Sequence, residues 1–236
     1  PDVVEQLLIK RARIVSGARN KVKKLYELMK EHKSENNILV YCGATKVPND
    51  NYLGFDYEYD YDDNKFDGQS KKQIDIVADM LGNQLGMRVA KFTSAENKKE
   101  RELIKNNFAE GKMLQCIVAI KCLDEGLNIP GIQKAFILAS STNPKEYIQR
   151  RGRVLRKSPN KKFAEIYDFV TFPHDLDSGY VNEQTAYYEL SLIKKEVERM
   201  KDFQKLAENS SEVDKLITKI ENLYQLNVIG GYEDEF

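Results

Sequence analysis

Ser141-Thr142-Asn143-Pro144-Lys145-Glu146-Tyr147-Ile148 leads into Gln149-Arg150-Arg151-Gly152-Arg153-Val154-Leu155-Arg156, a basic stretch with its own helix start signal. Asn143 can cap, Pro144 suits the first helical position, and Glu146 completes a capping box. The spacing predicts a helix carried through Arg156. At ~3.6 residues per turn, Gln149, Arg153 and Arg156 fall at i, i+4 and i+7, so one amide and two guanidiniums point the same way. Such a fork suits a polyphosphate, and a solvated basic face is the alternative that charge patterning offers. Gly152 inside the helical pattern costs ~1 kcal/mol relative to Ala. That cost points to close approach of something to the backbone.

Upstream, Ile117-Val118-Ala119-Ile120-Lys121-Cys122-Leu123-Asp124-Glu125-Gly126-Leu127-Asn128-Ile129-Pro130 reads as a buried strand running into a loop that ends at a proline. Together the two segments resemble motifs V and VI of superfamily 2 helicases, a DEAD/DEAH-box family. Their wording is closest to the XPB-like and type III restriction-enzyme R-subunit branch. The resemblance extends to Ile38-Leu39-Val40-Tyr41-Cys42 as motif IV. Phe92-Thr93-Ser94 with Glu100-Arg101 and Phe108 resembles motif IVa, and the four motifs stand in the right order.

This resemblance implies the second RecA-like domain of a helicase and assigns roles by position. Arg153 and Arg156 would be arginine fingers delivered across a cleft to ATP, with Gln149 orienting the attacking water or touching the γ-phosphate. Arg150 would tether the motif to the sheet. Asn128 occupies a position where the family commonly has an Asp that reaches the ribose, and Gly126 lets the loop approach the nucleotide closely. Nucleic-acid contacts are expected at Gly43, Thr93, Ser94 and Arg101, where strand ends and helix N-termini present N–H groups to phosphates. Two of these have plainer readings: Thr93 as a helix cap with Glu96, and Arg101 as partner of a neighbouring carboxylate. Ile120 departs from the family, many of whose members have a threonine there.

The 236 residues carry 37 Lys and Arg against 37 Asp and Glu, so any contact with nucleic acid must come from local patches. Cys42, Cys116 and Cys122 lie in or just after apolar runs without CxxC spacing, which suits core residues in a reducing compartment. No apolar run approaches the ~20 residues of a membrane span, and no signal-peptide pattern opens the chain. These features place the protein in the cytoplasm with no membrane partner and no resident metal site.

Strand and helix patterns alternate: helix 3–32, strand 38–42, helix 71–85, strand 88–92, helix 96–110 with Leu103, Ile104 and Phe108 inward, and strands 115–120, 133–139 and 163–170. Alternation of this kind specifies an α/β fold with a parallel sheet; the resemblance makes it RecA-like. Residues 1–173 are expected to form this domain and 174–236 a helical extension. Within the extension, Leu190, Ile193, Val197, Met200 and Phe203 mark one apolar stripe, and Val213, Leu216, Ile217, Ile220 and Leu223 another. An insertion at 48–66 interleaves Asp50, Asp56, Glu58, Asp60, Asp62 and Asp63 with Tyr52, Tyr57, Tyr59 and Tyr61. It reads as a solvated insertion or as a metal or partner site, without the ligand spacing of an EF-hand.

No GxxxxGK[ST] occurs, so ATP and Mg²⁺ are expected to be held mainly by an N-terminal RecA-like domain preceding Pro1 in a longer parent. The expected function is the C-terminal motor domain of an ATP-dependent DNA helicase or translocase. It would act on single- or double-stranded DNA, with RNA left open, and would be inactive alone. The alternatives are a non-hydrolysing RecA-like scaffold in a repair or restriction complex, and a metal-dependent nuclease or phosphatase using the acidic segment.

Overall fold

The computed structural model describes residues 3–48, 70–120, 129, 131–139, 144–156, 161–178, 181 and 183–226. The acidic insertion, Cys122, Gly126, Asn128 and Asn143 lie outside them. The chain divides into two compact units, Pro1–Phe169 and Val170–Phe236.

The first unit runs α1 (Val3–Ser16), α2 (Arg19–His32), β1 (Ile38–Cys42), β2 (Lys46–Pro48), β3 (Ser70–Lys72), α3 (Gln73–Asp79) with a π-helical turn (Met80–Gln84), β4 (Val89–Phe92), α4 (Lys98–Glu110), β5 (Cys116–Ile120), β6 (Lys134–Ile137), α5 (Pro144–Val154) and β7 (Glu165–Asp168). Five strands form one sheet in the order β4-β5-β1-β6-β7, every pair parallel. Parallel sheets survive only when both faces are covered, which is why their strands read as unbroken apolar runs. In β1 all five residues are buried. On one face Ile38, Val40, Cys116, Val118 and Phe136 pack with Val22, Leu25 and Met29 of α2 and Ile74, Val77 and Leu81 of the α3 segment. The alternate residues Leu39, Tyr41, Ile117, Ala119, Ala135 and Ile137 are buried as well, so the other face is also closed.

Several boundaries differ from the sequence expectation. The helix expected over 3–32 is two helices, because Ala18 after Gly17 is extended at φ −51° and ψ 122°. Residues 70–72 do not start a helix but pair antiparallel with 46–48 as a two-stranded ribbon. The cap of α4 is Asn97, not Thr93. Its side chain accepts from Lys99 and Glu100 N–H while the Glu100 carboxylate accepts from Asn97 N–H, a complete capping box two residues into the expected helix. Leu103 is 60% exposed rather than inward, whereas Phe108 is fully buried. The arginine helix stops at Val154, so Arg156 stands beyond it.

At the amino ends of the last two strands, Lys134 and Glu165 are cross-strand partners, 2.5 Å apart at their charged ends. Lys134 also reaches Glu35 at 3.2 Å, Glu35 meets His32 at 3.0 Å, and the Tyr167 hydroxyl donates to Glu165 at 3.0 Å and lies 3.2 Å from His32. The five side chains close a ring. The Lys134 hydrogen bond holds the Glu165 carboxyl below its ordinary range. Burial opposes ionisation of Glu35, but His32 and Lys134 outweigh it and hold that carboxyl low too.

In the second unit, α6 (Glu183–Gln204) and α7 (Ser210–Leu223) pack through Ile193, Val197, Met200, Ile217, Ile220, Leu223 and Tyr224. Leu216 is exposed, on the rim of its stripe. Glu196 and Arg199 are buried as a bidentate pair at 2.7 Å, and Glu196 also accepts the Thr171 N–H at 3.3 Å. A buried charge persists only with such partners. Among the described residues, no helix is long and apolar enough to cross a membrane.

Candidate functional site

In a parallel sheet every strand ends at the same edge, and ligands of open α/β sheets bind outside the carboxyl ends, where the strand order reverses. Here β1 sits between β5 and β6. The segments after β1, β4, β5 and β6 therefore share one edge. Among the described residues they include Gly43, the Thr93–Asn97 loop, and Leu138 and Ala139 on the way to α5.

Helix α5 is seated by Tyr147 and Val154, both buried, with half-buried Arg151 between them at the same helical spacing. Ile148, Gly152 and Leu155 form the outward stripe and are exposed. Arg153 is half-buried on the flank between these faces, and Arg156 is exposed. Among the described residues, no atom lies within 4 Å of a Cβ built on Gly152. The close approach inferred from that glycine is therefore not made among the described residues. Gln149 and Arg150 lie inside α5, and their side chains are outside the description.

The Thr93–Asn97 loop is organised from within. Glu96 accepts the Thr93 N–H at 2.5 Å and the Thr93 hydroxyl at 2.9 Å, while Thr93 Oγ1 accepts the Ala95 N–H at 3.0 Å. Arg101 donates to backbone carbonyls, from Nε to Glu96 at 2.9 Å and from Nη2 to Thr93 at 3.0 Å, with its guanidinium 5.5 Å from the Phe92 ring centre. It thus fastens the loop to α4 rather than pairing with a carboxylate. The first free amides of α4, on Lys99 and Glu100, are taken by Asn97. Ser94 is exposed.

Gly43 is buried, and its N–H donates to Gln73 Oε1 at 2.7 Å instead of facing out. Gln73 Nε2 in turn donates to the Ser16 carbonyl at 3.1 Å, and the Gln73 N–H to the Thr45 carbonyl at 3.0 Å. A Cβ on Gly43 would stand 2.2 Å from Ser16 Oγ and 3.0 Å from Ala139 Cβ, so any larger residue would make Ser16 and Ala139 give way. Lys21 is buried and donates to the Leu138 carbonyl at 2.7 Å. Gln73 and Lys21 have no local sequence signal, because their partners lie 30 and 117 residues away.

A parallel sheet whose loops gather outside its carboxyl ends is a frame on which α/β domains bind nucleotides. Residues 66–158 match the family model described as "Helicase conserved C-terminal domain". The chain is 34% identical over 88 residues to a protein of Sulfolobus islandicus filamentous virus (isolate Iceland/Hveragerdi) provisionally named helicase 22, covering 37% of this chain and 16% of the viral protein. It is 30% identical over 109 residues to DNA 3'-5' translocase XPB2 of Sulfurisphaera tokodaii, covering 44% and 24%. Among solved structures, the yeast DEAD-box splicing factor Prp28 superposes with a TM-score of 0.48 at 16% identity, over 92% of this chain and 36% of that one. The chain thus matches about a sixth to a quarter of the length of these curated relatives.

Proposed function

We propose that this chain is one wall of an ATP-hydrolysing cleft in a DNA helicase or translocase, with Arg153 and Arg156 directed at the γ-phosphate of ATP held by a partner RecA-like domain. The observation that supports this reading is that α5 follows β6 in the same parallel sheet as the other motif strands, with Arg153 half-buried on its flank and Arg156 exposed just past its end. The donor set fits the polyphosphate end of a nucleotide: guanidiniums are permanently charged, planar donors matched to phosphate oxygens. Among the described residues, no group of three or more His, Cys, Asp or Glu is placed to hold a metal ion, and Mg²⁺ is assigned to the partner domain.

Phosphoryl transfer needs little covalent help and depends on positioning and on neutralising charge that spreads over oxygens. ATP supplies the reacting phosphoryl group. Arg153 and Arg156 would oppose that charge, Gln149 would orient the water, and Gly126 and Asn128 would lie along the nucleoside. Ser94, exposed on a loop stiffened by Glu96 and Arg101, is the remaining candidate for a backbone phosphate of DNA. Thr93 and Arg101 act by shaping that loop.

In the full-length protein, Arg153→Ala or Arg156→Ala is expected to lower ATP turnover by roughly 10³-fold, the range of a lost arginine finger. Arg151→Ala, on the seated face with Tyr147 and Val154, should lower the melting temperature and affect turnover less. Equal, small effects of all three would mark a solvated basic face and sink the assignment.

A further inference from the structure

Arg153 is held in place by its helix, whereas Arg156 stands two residues past the last helical position. Helix ends leave their final carbonyls without intrahelical partners. Here the Leu155 N–H returns to the Arg151 carbonyl at 2.9 Å and the Arg156 N–H to the Arg153 carbonyl at 3.4 Å, which tightens the last turn. Glycine in a left-handed conformation commonly ends a helix, as Gly111 does for α4. None follows α5 at this point; Leu155 and Arg156 do. Lys161 fills the role instead. Its Nζ donates to the Val154 carbonyl and, at 3.3 Å, to the carbonyl of Arg156 itself.

We propose that Lys161 is the positioning residue for Arg156, gripping the backbone on either side of it so that the guanidinium leaves the helix in one direction. The proposal rests on the reading of Arg156 as a finger. A cation suits this location, since the helix C-terminus carries partial negative charge. Burial pulls the Lys161 ammonium down from its ordinary range, as expected for an amine committed to carbonyls rather than to water. Lys157, Lys161 and Lys162 lie close together in sequence, so composition alone cannot single out the one that turns back.

The test is a set of substitutions in the full-length protein, read as steady-state ATP turnover with melting temperatures alongside. Lys161→Met, which keeps the stem and removes the charge, should lower kcat about tenfold with KM unchanged, the pattern of a contact made only in the transition state. Lys161→Arg should restore most of the rate. In the Arg156→Ala background, Lys161→Met should cost nothing more; in the Arg153→Ala background it should cost its full factor. An unchanged rate for Lys161→Met, or the same loss with Arg156 already removed, overturns the proposal while the finger assignment stands. If Arg156→Ala itself leaves turnover intact, the finger assignment falls and the role of Lys161 falls with it.

Discussion

Gln73 accepts the amide hydrogen of Gly43 at 2.7 Å across thirty residues, and its own amide is fully buried in doing so. The side chain thereby joins the end of β1 to the end of α1. Gln73→Ala would orphan the Gly43 N–H and the Ser16 carbonyl, each a desolvation cost of about 1–3 kcal/mol. The expected result is a lower urea midpoint with an unchanged m-value, and faster hydrogen exchange at the Gly43 amide. An unaltered exchange rate there would refute the bond.

Phe108 and Leu103, five residues apart on α4, have opposite exposure. Phe108→Ala should destabilise the domain by about 3–5 kcal/mol. Leu103→Ala should stay within about 0.5 kcal/mol. Denaturant unfolding of the two variants decides whether α4 is turned as described.

The ring around Lys134 makes part of the stability pH-dependent. Glu35 and Glu165 titrate below their unfolded values, so their contribution is complete above the ordinary carboxylate range and fades as pH falls through the lowered values. Lys134 is raised by the same partners against the opposing pull of burial, so its share is lost only as pH climbs through that raised value. Both carboxylates are substantially exposed, which keeps the effect small. Lys134→Met should lower the melting temperature at pH 7 and flatten its fall as pH drops below the ordinary carboxylate range; an acid limb as steep as the parent's would exclude this origin.

Binding of single- or double-stranded DNA to this chain should be weak, without sequence preference, and reduced steeply by salt, since a neutral protein offers only local phosphate contacts. Asn97→Ala should cost about 1 kcal/mol of stability and leave DNA affinity unchanged, because the α4 amides already serve their own cap. Titrations at two salt concentrations test both points. Tight, salt-insensitive binding would point to another mode of recognition.

The sequence revealed what repeats locally. The apolar runs of β1 and β5 and the periodicity of α6 are signals of two to four residues' range, and alternation with helices implies a parallel sheet without fixing its strand order. Side chains that reach across the fold leave no such trace. Thr93 and Asn97 both precede a Glu by three residues; the structure selects Asn97, while Thr93 and Glu96 brace the loop. Lys21 and Gln73 look like ordinary polar residues, yet each satisfies a distant carbonyl or amide, and Lys161 turns back on carbonyls of the nearby helix end. The fork of Gln149, Arg153 and Arg156 assumed one unbroken helix, and only the chain's turn after Val154 separates the last member from it.

The ribbon of β2 and β3 brings Pro48 and Ser70 into register as neighbours. Whatever residues 49–69 do, they depart from and return to a single point on the domain, and the parallel sheet does not sense their length. Halving or doubling such an excursion alters its closure entropy by only about 0.6 kcal/mol. That doorway is therefore where foreign sequence, such as a fluorescent reporter or an affinity tag, can be grafted without breaking a strand of the parallel sheet.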